Sequence, residues 1–331
     1  MSLHENKQKE PLLSVQHVKK YFSVTGQWGR LGGVKGQVKA VNDVSFRLVE
    51  GETYGLVGES GSGKSTTGRA ILRLTEPTDG EVFYQNENIF QVPKRKLQRF
   101  RKDVQMVFQD PFSSLNPRKR IGKTIEEPLH IHRVGNQKER RERVLDILDK
   151  VGMGPEHYYR FPHEFSGGQR QRLGLARALV MEPKVVICDE PVSALDVSIQ
   201  SQVVNLLKQL QTEMDLAYLF ITHDISVVRH ISDRIGVMYL GEIVEEAPTD
   251  DLFSSPLHPY TQALFSAVPR TKNERNRERI VLKGEIPSPL NPPTGCKFHT
   301  RCPFAMDICK REVPKRKKIE PDHFVTCHLY E

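Results

Sequence analysis

The feature that most constrains this chain is Gly58-Glu59-Ser60-Gly61-Ser62-Gly63-Lys64-Ser65, a fit to the pattern G-x-x-x-x-G-K-[ST]. A short apolar run, Thr53 to Val57, leads into it, and a helical pattern, Ser65 to Leu74, follows. Strand, glycine loop and helix in that order let successive backbone N–H groups turn inward around an anion, and the helix N-terminus adds positive potential. In that arrangement Lys64 reaches β- and γ-phosphates, Ser65 offers a hydroxyl to magnesium, and Thr66 completes the junction. The turn Pro77-Thr78-Asp79-Gly80 closes the unit.

A nucleotide phosphate needs charge management beyond a loop. Val185-Val186-Ile187-Cys188-Asp189-Glu190 is an apolar strand ending in two carboxylates. At the carboxyl end of such a strand Asp189 can hold a magnesium shell, while Glu190 can orient and deprotonate an attacking water. Ser166-Gly167-Gly168-Gln169 precedes a helical pattern, and Ser166 with Gln169 makes a capping box. A cap does not require two glycines, whereas an anion approaching backbone at a helix start favours them. The element reads as a second phosphate contact. One γ-phosphate lies near one loop, so this contact is expected to serve the nucleotide of another subunit.

The rest of the chain frames these motifs. Leu13 to Val18 and Lys39 to Val49 read as strands, the second with Val41, Val44, Phe46 and Leu48 at nearly alternate positions. Between them, Ser23 to Val38 is glycine-rich and holds the single tryptophan, Trp28, and no chemistry is assigned to it. Residues 120 to 180 are helical in pattern, with Val144, Leu145, Leu148 and Val151 on one face and Leu173, Ala176, Leu179 and Val180 on another. Strand and helix then alternate over Val185 to Asp189, Ser198 to Met214, Ala217 to Thr222, Ile225 to Ile231 and Ile235 to Leu240, which implies a largely parallel α/β sheet. Beyond Pro269 a charged stretch to Arg279, then Pro287, Pro289, Pro292 and Pro293, then four of the five cysteines suggest a separate small module.

A chain of 331 residues is long enough for one large domain with an appendage. No apolar run approaches the roughly 20 residues that span a bilayer, and the polar start, Met1 to Lys7, carries no signal-peptide core. A cytoplasmic location is expected. The net charge of +8 favours a phosphate-rich neighbour, whether the inner leaflet of a membrane or nucleic acid. The basic runs from Lys94 to Lys102 and Lys310 to Lys318 read as solvated faces.

In order and spacing these motifs resemble the ABC ATPase family over roughly residues 12 to 250. Gly58 to Ser65 is similar to its Walker A, Val185 to Glu190 to its Walker B with catalytic glutamate, and Ser166 to Gln169 to its signature motif, with Phe165 in place of the commoner leucine. The resemblance implies roles for four further positions. Gln109 matches the Q-loop glutamine that senses magnesium and water. Asp196, in Ser193-Ala194-Leu195-Asp196, matches the D-loop that crosses the dimer interface. His223 matches the switch histidine that contacts the γ-phosphate and steadies Glu190. Phe22, or failing it Tyr21, falls where the family stacks an aromatic on adenine. It also implies two ATP molecules sandwiched between the P-loop of one subunit and the signature helix of another.

Cys188 lies in the Walker B strand and reads as a buried small hydrophobe. Cys296, Cys302, Cys309 and Cys327 gather within a short proline-rich stretch, as a staple would for a segment too small to form a core. A cytosolic setting favours metal over disulfides, and the spacing leaves zinc, an iron–sulfur cluster and scattered free thiols open. Leu257-His258-Pro259-Tyr260-Thr261, Asn291-Pro292-Pro293 and Gly295-Cys296 to Cys309 resemble the C-terminal extension of oligopeptide/dipeptide importer ATPases. Gln109-Asp110-Pro111-Phe112-Ser113-Ser114-Leu115-Asn116-Pro117 is similar to the Q-loop of the same subfamily.

That likeness implies an ABC domain over residues 12–265, with a helical subdomain at about 112–180, and an extension over 266–331 whose cysteines hold a 4Fe-4S cluster. The implied partners are a second ATPase in a heterodimer, two transmembrane permeases and an extracellular binding protein. The expected function is ATP-driven import of di- or oligopeptides at the cytoplasmic face of the membrane. Nickel or another small solute as cargo, and a soluble ATPase acting on nucleic acid, are the alternatives; nucleic acid is not expected as a partner.

Overall fold

The computed structural model describes residues 10–25, 34–110, 115–267 and 280–331. Residues 26–33 of the glycine-rich loop, with Trp28, lie outside them, as do positions 111–114 of the Q-loop segment. Among the described residues, twelve strands form two sheets. The smaller sheet, in the order β2-β1-β4-β5, is built from β1 (Leu13–Thr25), β2 (Val34–Leu48), β4 (Asp79–Tyr84) and β5 (Glu87–Asn88) and is antiparallel throughout. The larger has the order β11-β12-β10-β9-β3-β8-β7-β6. Its strands are β3 (Thr53–Val57), β6 (Val104–Val107), β7 (Val185–Asp189), β8 (Ala217–Thr222), β9 (Arg234–Tyr239), β10 (Glu242–Pro248), β11 (Arg316–Glu320) and β12 (His323–Thr326).

From β6 to β9 all pairings in the larger sheet are parallel. Every residue of β3, β7 and β8 is buried, as expected of strands covered on both faces. Parallel strands share a carboxyl end, where open α/β sheets place their ligand sites. Neighbours in the order β6, β7, β8, β3 therefore set Gln109, Asp189 and Glu190, His223 and the loop from Gly58 side by side.

The helices are α1 (Lys64–Ile71), α2 (Lys94–Asp103), α3 (Ile121–Ile131), α4 (Gln137–Lys150), α5 (Gly167–Leu179), α6 (Val197–Met214), α7 (Ile225–Ile231), α8 (Thr249–Ser254) and α9 (Pro259–Ser266). A cluster around Leu129, Leu148, Val151, Leu173 and Leu179 joins α3, α4 and α5 into the helical region expected from the sequence. A second core, with Val41, Phe46, Leu56, Ile71 and Leu219, fills the space between the two sheets.

The expectation of a separate C-terminal module is corrected by the sheet. Strand β12 pairs antiparallel with β10, and β11 with β12, so the last residues extend the main sheet. The pairing is reinforced by charge. His323 Nε2 lies 2.8 Å from Glu245 Oε1, both buried. Glu246 is held from two sides, by Arg234 at 3.1 Å and Arg316 at 2.6 Å. Phe298, buried, packs with Tyr239 and Tyr260 in a third core that also takes in Cys296 and Cys302.

Candidate active site

A cleft of about 580 Å³ opens at the carboxyl ends of these strands, lined by Ala40, residues of the loop from Gly58 to Thr66, Gln109, Glu190, His223 and Leu264. The glycines shape it. Gly63 has φ 106°, and a Cβ there would meet the Ala40 carbonyl oxygen at 2.1 Å, while at Gly61, with φ 79°, nothing stands within 4 Å. Backbone thus closes one side of the nest and leaves the other open to a ligand.

Lys64 is almost fully buried. Its Nζ donates to the carbonyls of Gly58 at 2.8 Å and Glu59 at 3.0 Å and reaches Ser62 Oγ at 3.5 Å. Burial lowers its pKa, against the opposing pull of Glu190, Asp189 and Glu59. The ammonium occupies the mouth of its own loop, on oxygens that phosphate oxygens can replace.

Ser65 Oγ donates to Asp189 Oδ1 at 2.6 Å, so the two expected magnesium contacts are neighbours. Asp189 is fully buried and its Oδ2 has no hydrogen-bond partner, with Arg69 Nη2 3.8 Å away. Burial raises its pKa, opposed by the Ser65 hydrogen bond and Arg69. A buried carboxylate oxygen without a hydrogen-bond partner, beside a serine hydroxyl, fits a hard cation, which takes oxygen ligands.

Glu190 stands at the centre. Its backbone is left-handed, φ 48°, a conformation that costs a non-glycine residue energy and concentrates at functional sites. That turn aims a carboxylate only 11% exposed between two partners: Gln109 Nε2 donates to Oε2 at 2.8 Å, and His223 Nδ1 lies 3.3 Å from Oε1. The three residues expected to act on the attacking water are brought together.

Ser166, Gly167, Gly168 and Gln169 lie elsewhere. The capping box forms, with Ser166 N donating to Gln169 Oε1 at 3.0 Å and Gln169 N to Ser166 Oγ at 3.4 Å, and none of the four lines the cleft. They share a surface with the D-loop: a Cβ on Gly167 would lie 3.7 Å from Leu195, and one on Gly168 2.6 Å from Ile199. Asp196 is the N-cap of α6, exposed and without a side-chain cap hydrogen bond.

Tyr21 and Phe22 are consecutive on β1, so the pleat sends them to opposite faces. Tyr21 Oη bonds Asn42, whereas the Phe22 ring is exposed, with Lys20 Nζ 4.8 Å from its centroid. Neither lines the cleft.

The four C-terminal cysteines are free thiols, as is the buried Cys188. Cys296, Cys302 and Cys327 have raised pKa values, first from burial and then from other cysteines of the set; Cys296 and Cys327 are pushed up to about 11. The four are neighbours. Among the described residues, however, no three of His, Cys, Asp or Glu form a group that could hold a metal ion, so the arrangement lends the expected 4Fe-4S or zinc ligand set no support.

Two features escaped the sequence. The Tyr260 hydroxyl accepts from Glu59 N at 2.9 Å, and Arg301 holds the Glu59 carboxylate through Nη1 at 2.7 Å and Nη2 at 3.0 Å. Both come from the C-terminal third and touch the phosphate loop. His258, at the N-cap of α9, accepts from Tyr260 N at 3.0 Å, and burial drives its pKa down to about 3.

Comparison with known proteins agrees with this geometry. Residues 41–193 match the family model described as ABC transporter, and residues 244–309 match that of the oligopeptide/dipeptide transporter, C-terminal region. The chain is 55% identical to the oligopeptide transport ATP-binding protein AppF of Bacillus subtilis (strain 168), over 97% of this chain and 98% of that one. It is 49% identical to the dipeptide transport ATP-binding protein DppF of Haemophilus influenzae, over 98% of each. A solved ATP-binding cassette, a dimer in a post-hydrolysis state bound to ADP and Pi, is similar at 31% identity with a TM-score of 0.63, covering 72% of this chain and 98% of that one.

Proposed function

We propose that this chain, which belongs to the ABC transporter family, is the ATP-hydrolysing subunit that powers import of di- or oligopeptides from the cytoplasmic face of a membrane. The observation that carries the reading is the Glu190 carboxylate, held between Gln109 and His223 at the mouth of a phosphate loop. Relatives over nearly the full length are named as oligopeptide and dipeptide transport ATP-binding proteins, and the matched C-terminal region supports the same cargo class. No described helix is long and apolar enough to cross a membrane, so permease subunits are the expected partners, with a second ATPase and an extracellular binding protein completing the assembly.

The chemistry follows from the side chains. Lys64 exchanges the Gly58 and Glu59 carbonyls for β- and γ-phosphate oxygens, and the backbone N–H groups of the loop carry the rest of the charge. Ser65 and Asp189 would hold magnesium, which neutralises charge on the phosphates. Glu190 accepts the proton of a water whose oxygen bonds to the γ-phosphorus as the β–γ bridging P–O bond breaks and ADP departs. Gln109 and His223 keep its two oxygens in place, so catalysis is mainly positioning and charge neutralisation. Ser166 to Gln169, outside the cleft beside the D-loop, suit the γ-phosphate of a partner subunit, and Phe22 offers the freer ring for adenine.

The 4Fe-4S reading for Cys296, Cys302, Cys309 and Cys327 rests on the peptide-importer likeness of the C-terminal region alone; zinc is the other candidate. About four cysteine-dependent irons per chain would support the cluster, and stoichiometric zinc without iron would overturn it. The function is tested by purifying the chain from its native membrane and reconstituting what accompanies it. Two multispanning proteins, a second ATPase and ATP-dependent uptake of labelled peptide are expected. Uptake of nickel or another solute with none of peptide would reassign the cargo, and copurification with nucleic acid instead of permeases would overturn the transporter reading.

A further inference from the structure

The fork of Arg301 on Glu59 joins residues 242 apart in sequence, and its chemistry bears on the nucleotide. Glu59 lies inside the phosphate loop. Its carbonyl accepts from Lys64 Nζ, its N–H donates to Tyr260, and the residue lines the cleft. A carboxylate there opposes what the loop is built to hold, because a polyanionic phosphate and an unpaired carboxylate repel across a few ångströms. It is also one of three acids acting on Lys64.

Arg301 answers that charge with two parallel N–H···O bonds, the geometry in which guanidinium and carboxylate interact most strongly. Its side chain is 7% exposed against 28% for Glu59, so the pair is largely shielded from solvent and salt. The support behind Arg301 is rigid. Phe298 is wedged among Tyr239, Tyr260 and His258. Lys297 Nζ binds the Leu240 carbonyl at 3.2 Å and Glu242 at 2.8 Å. Cys296 N bonds the Cys309 carbonyl at 2.8 Å, and Cys302 follows Arg301 directly. The backbone of the cysteine-rich segment therefore sets where the guanidinium sits.

We propose that Arg301 is a positioning residue for nucleotide binding, neutralising and fixing Glu59, so that the cysteine-rich segment is a working part of the ATP site. The inference rests on ATP occupying the loop from Gly58 to Ser65.

The test measures Kd for ATP by equilibrium dialysis, and KM and kcat for hydrolysis in the reconstituted complex, for wild type, Lys64→Ala, Arg301→Gln, Arg301→Lys and the double variant Glu59→Gln/Arg301→Gln. Arg301→Gln is expected to raise Kd and KM about tenfold with kcat nearly unaltered, and Arg301→Lys to fall between it and wild type. The double variant should recover most of the loss, since the repelling carboxylate is gone with its partner. A defect arising only from weakened packing would not be relieved by removing Glu59, so a double variant as weak as Arg301→Gln overturns the proposal, as does an Arg301→Gln chain with wild-type Kd. If Arg301→Gln does not fold, the double variant decides: near wild-type affinity supports the proposal and weak affinity overturns it. Wild type binding ATP no better than Lys64→Ala would remove the ATP-site reading and this inference together.

Discussion

Gln109 Nε2 donates to Glu190 Oε2 at 2.8 Å across the junction of β6 and β7. With His223 on the other oxygen, the carboxylate is held at both ends on a residue that lines the cleft. Glu190→Gln keeps the shape and one acceptor but removes the base. ATP binding should persist while phosphate release falls by about 100-fold or more. Hydrolysis at the wild-type rate in a variant that still binds ATP would remove Glu190 from the role.

Asp189 sets function against stability. Its buried Oδ2 lacks a hydrogen-bond partner, Arg69 lies 3.8 Å away, and burial still raises its pKa, so the ionised form weakens the folded state at neutral pH when no cation is bound. In magnesium-free buffer Asp189→Asn should melt no lower than wild type and up to about 4 °C higher. Its turnover with magnesium should fall by about 100-fold or more. A clear drop in the melting temperature would mean that the carboxylate is stabilising as it stands.

His258 gives a pH dependence with a defined sign. Burial holds its folded pKa at about 3, below the ordinary histidine value of 6.5, so below pH 6.5 the unfolded chain binds a proton that the folded chain refuses. Stability falls as pH falls through that window, by up to about 1.4 kcal/mol per pH unit from this group. Asn at the same N-cap can still accept from Tyr260 N and does not titrate. Denaturant melts of wild type and His258→Asn should therefore diverge in slope between pH 6.5 and about pH 5, wild type being the steeper. Parallel slopes would mean that His258 is protonated in the fold.

The legible part of this molecule was local. The phosphate loop, the strand ending in Asp189 and Glu190, and the cap at Ser166 each declare themselves within a few residues, because strand burial, glycine φ and capping are short-range demands. What pairs with what was not legible. Strand β11, Arg316–Glu320, carries a single apolar residue, Ile319, itself exposed. Its place in the main sheet depends on backbone pairing with β12 and on Arg316 reaching Glu246, contacts that leave no periodic trace. The Glu59–Arg301 fork is likewise invisible, since a glutamate inside a glycine loop and an arginine beside a cysteine each have an ordinary local reading.

Ser166 makes the last test, of whether the site is shared between subunits. The serine caps α5 beside the exposed D-loop and does not line the cleft that holds Lys64. If its phosphate lies in another chain, Ser166→Arg should leave the isolated chain binding ATP as before, because nothing in its own loop has moved. In the assembled complex the bulky cation would stand where a γ-phosphate must approach the helix start. Hydrolysis by that composite site should then fall by about 100-fold or more. Loss of ATP binding by the isolated Ser166→Arg chain would place the motif in the chain's own site, and full hydrolysis in the assembly would deny it a phosphate altogether.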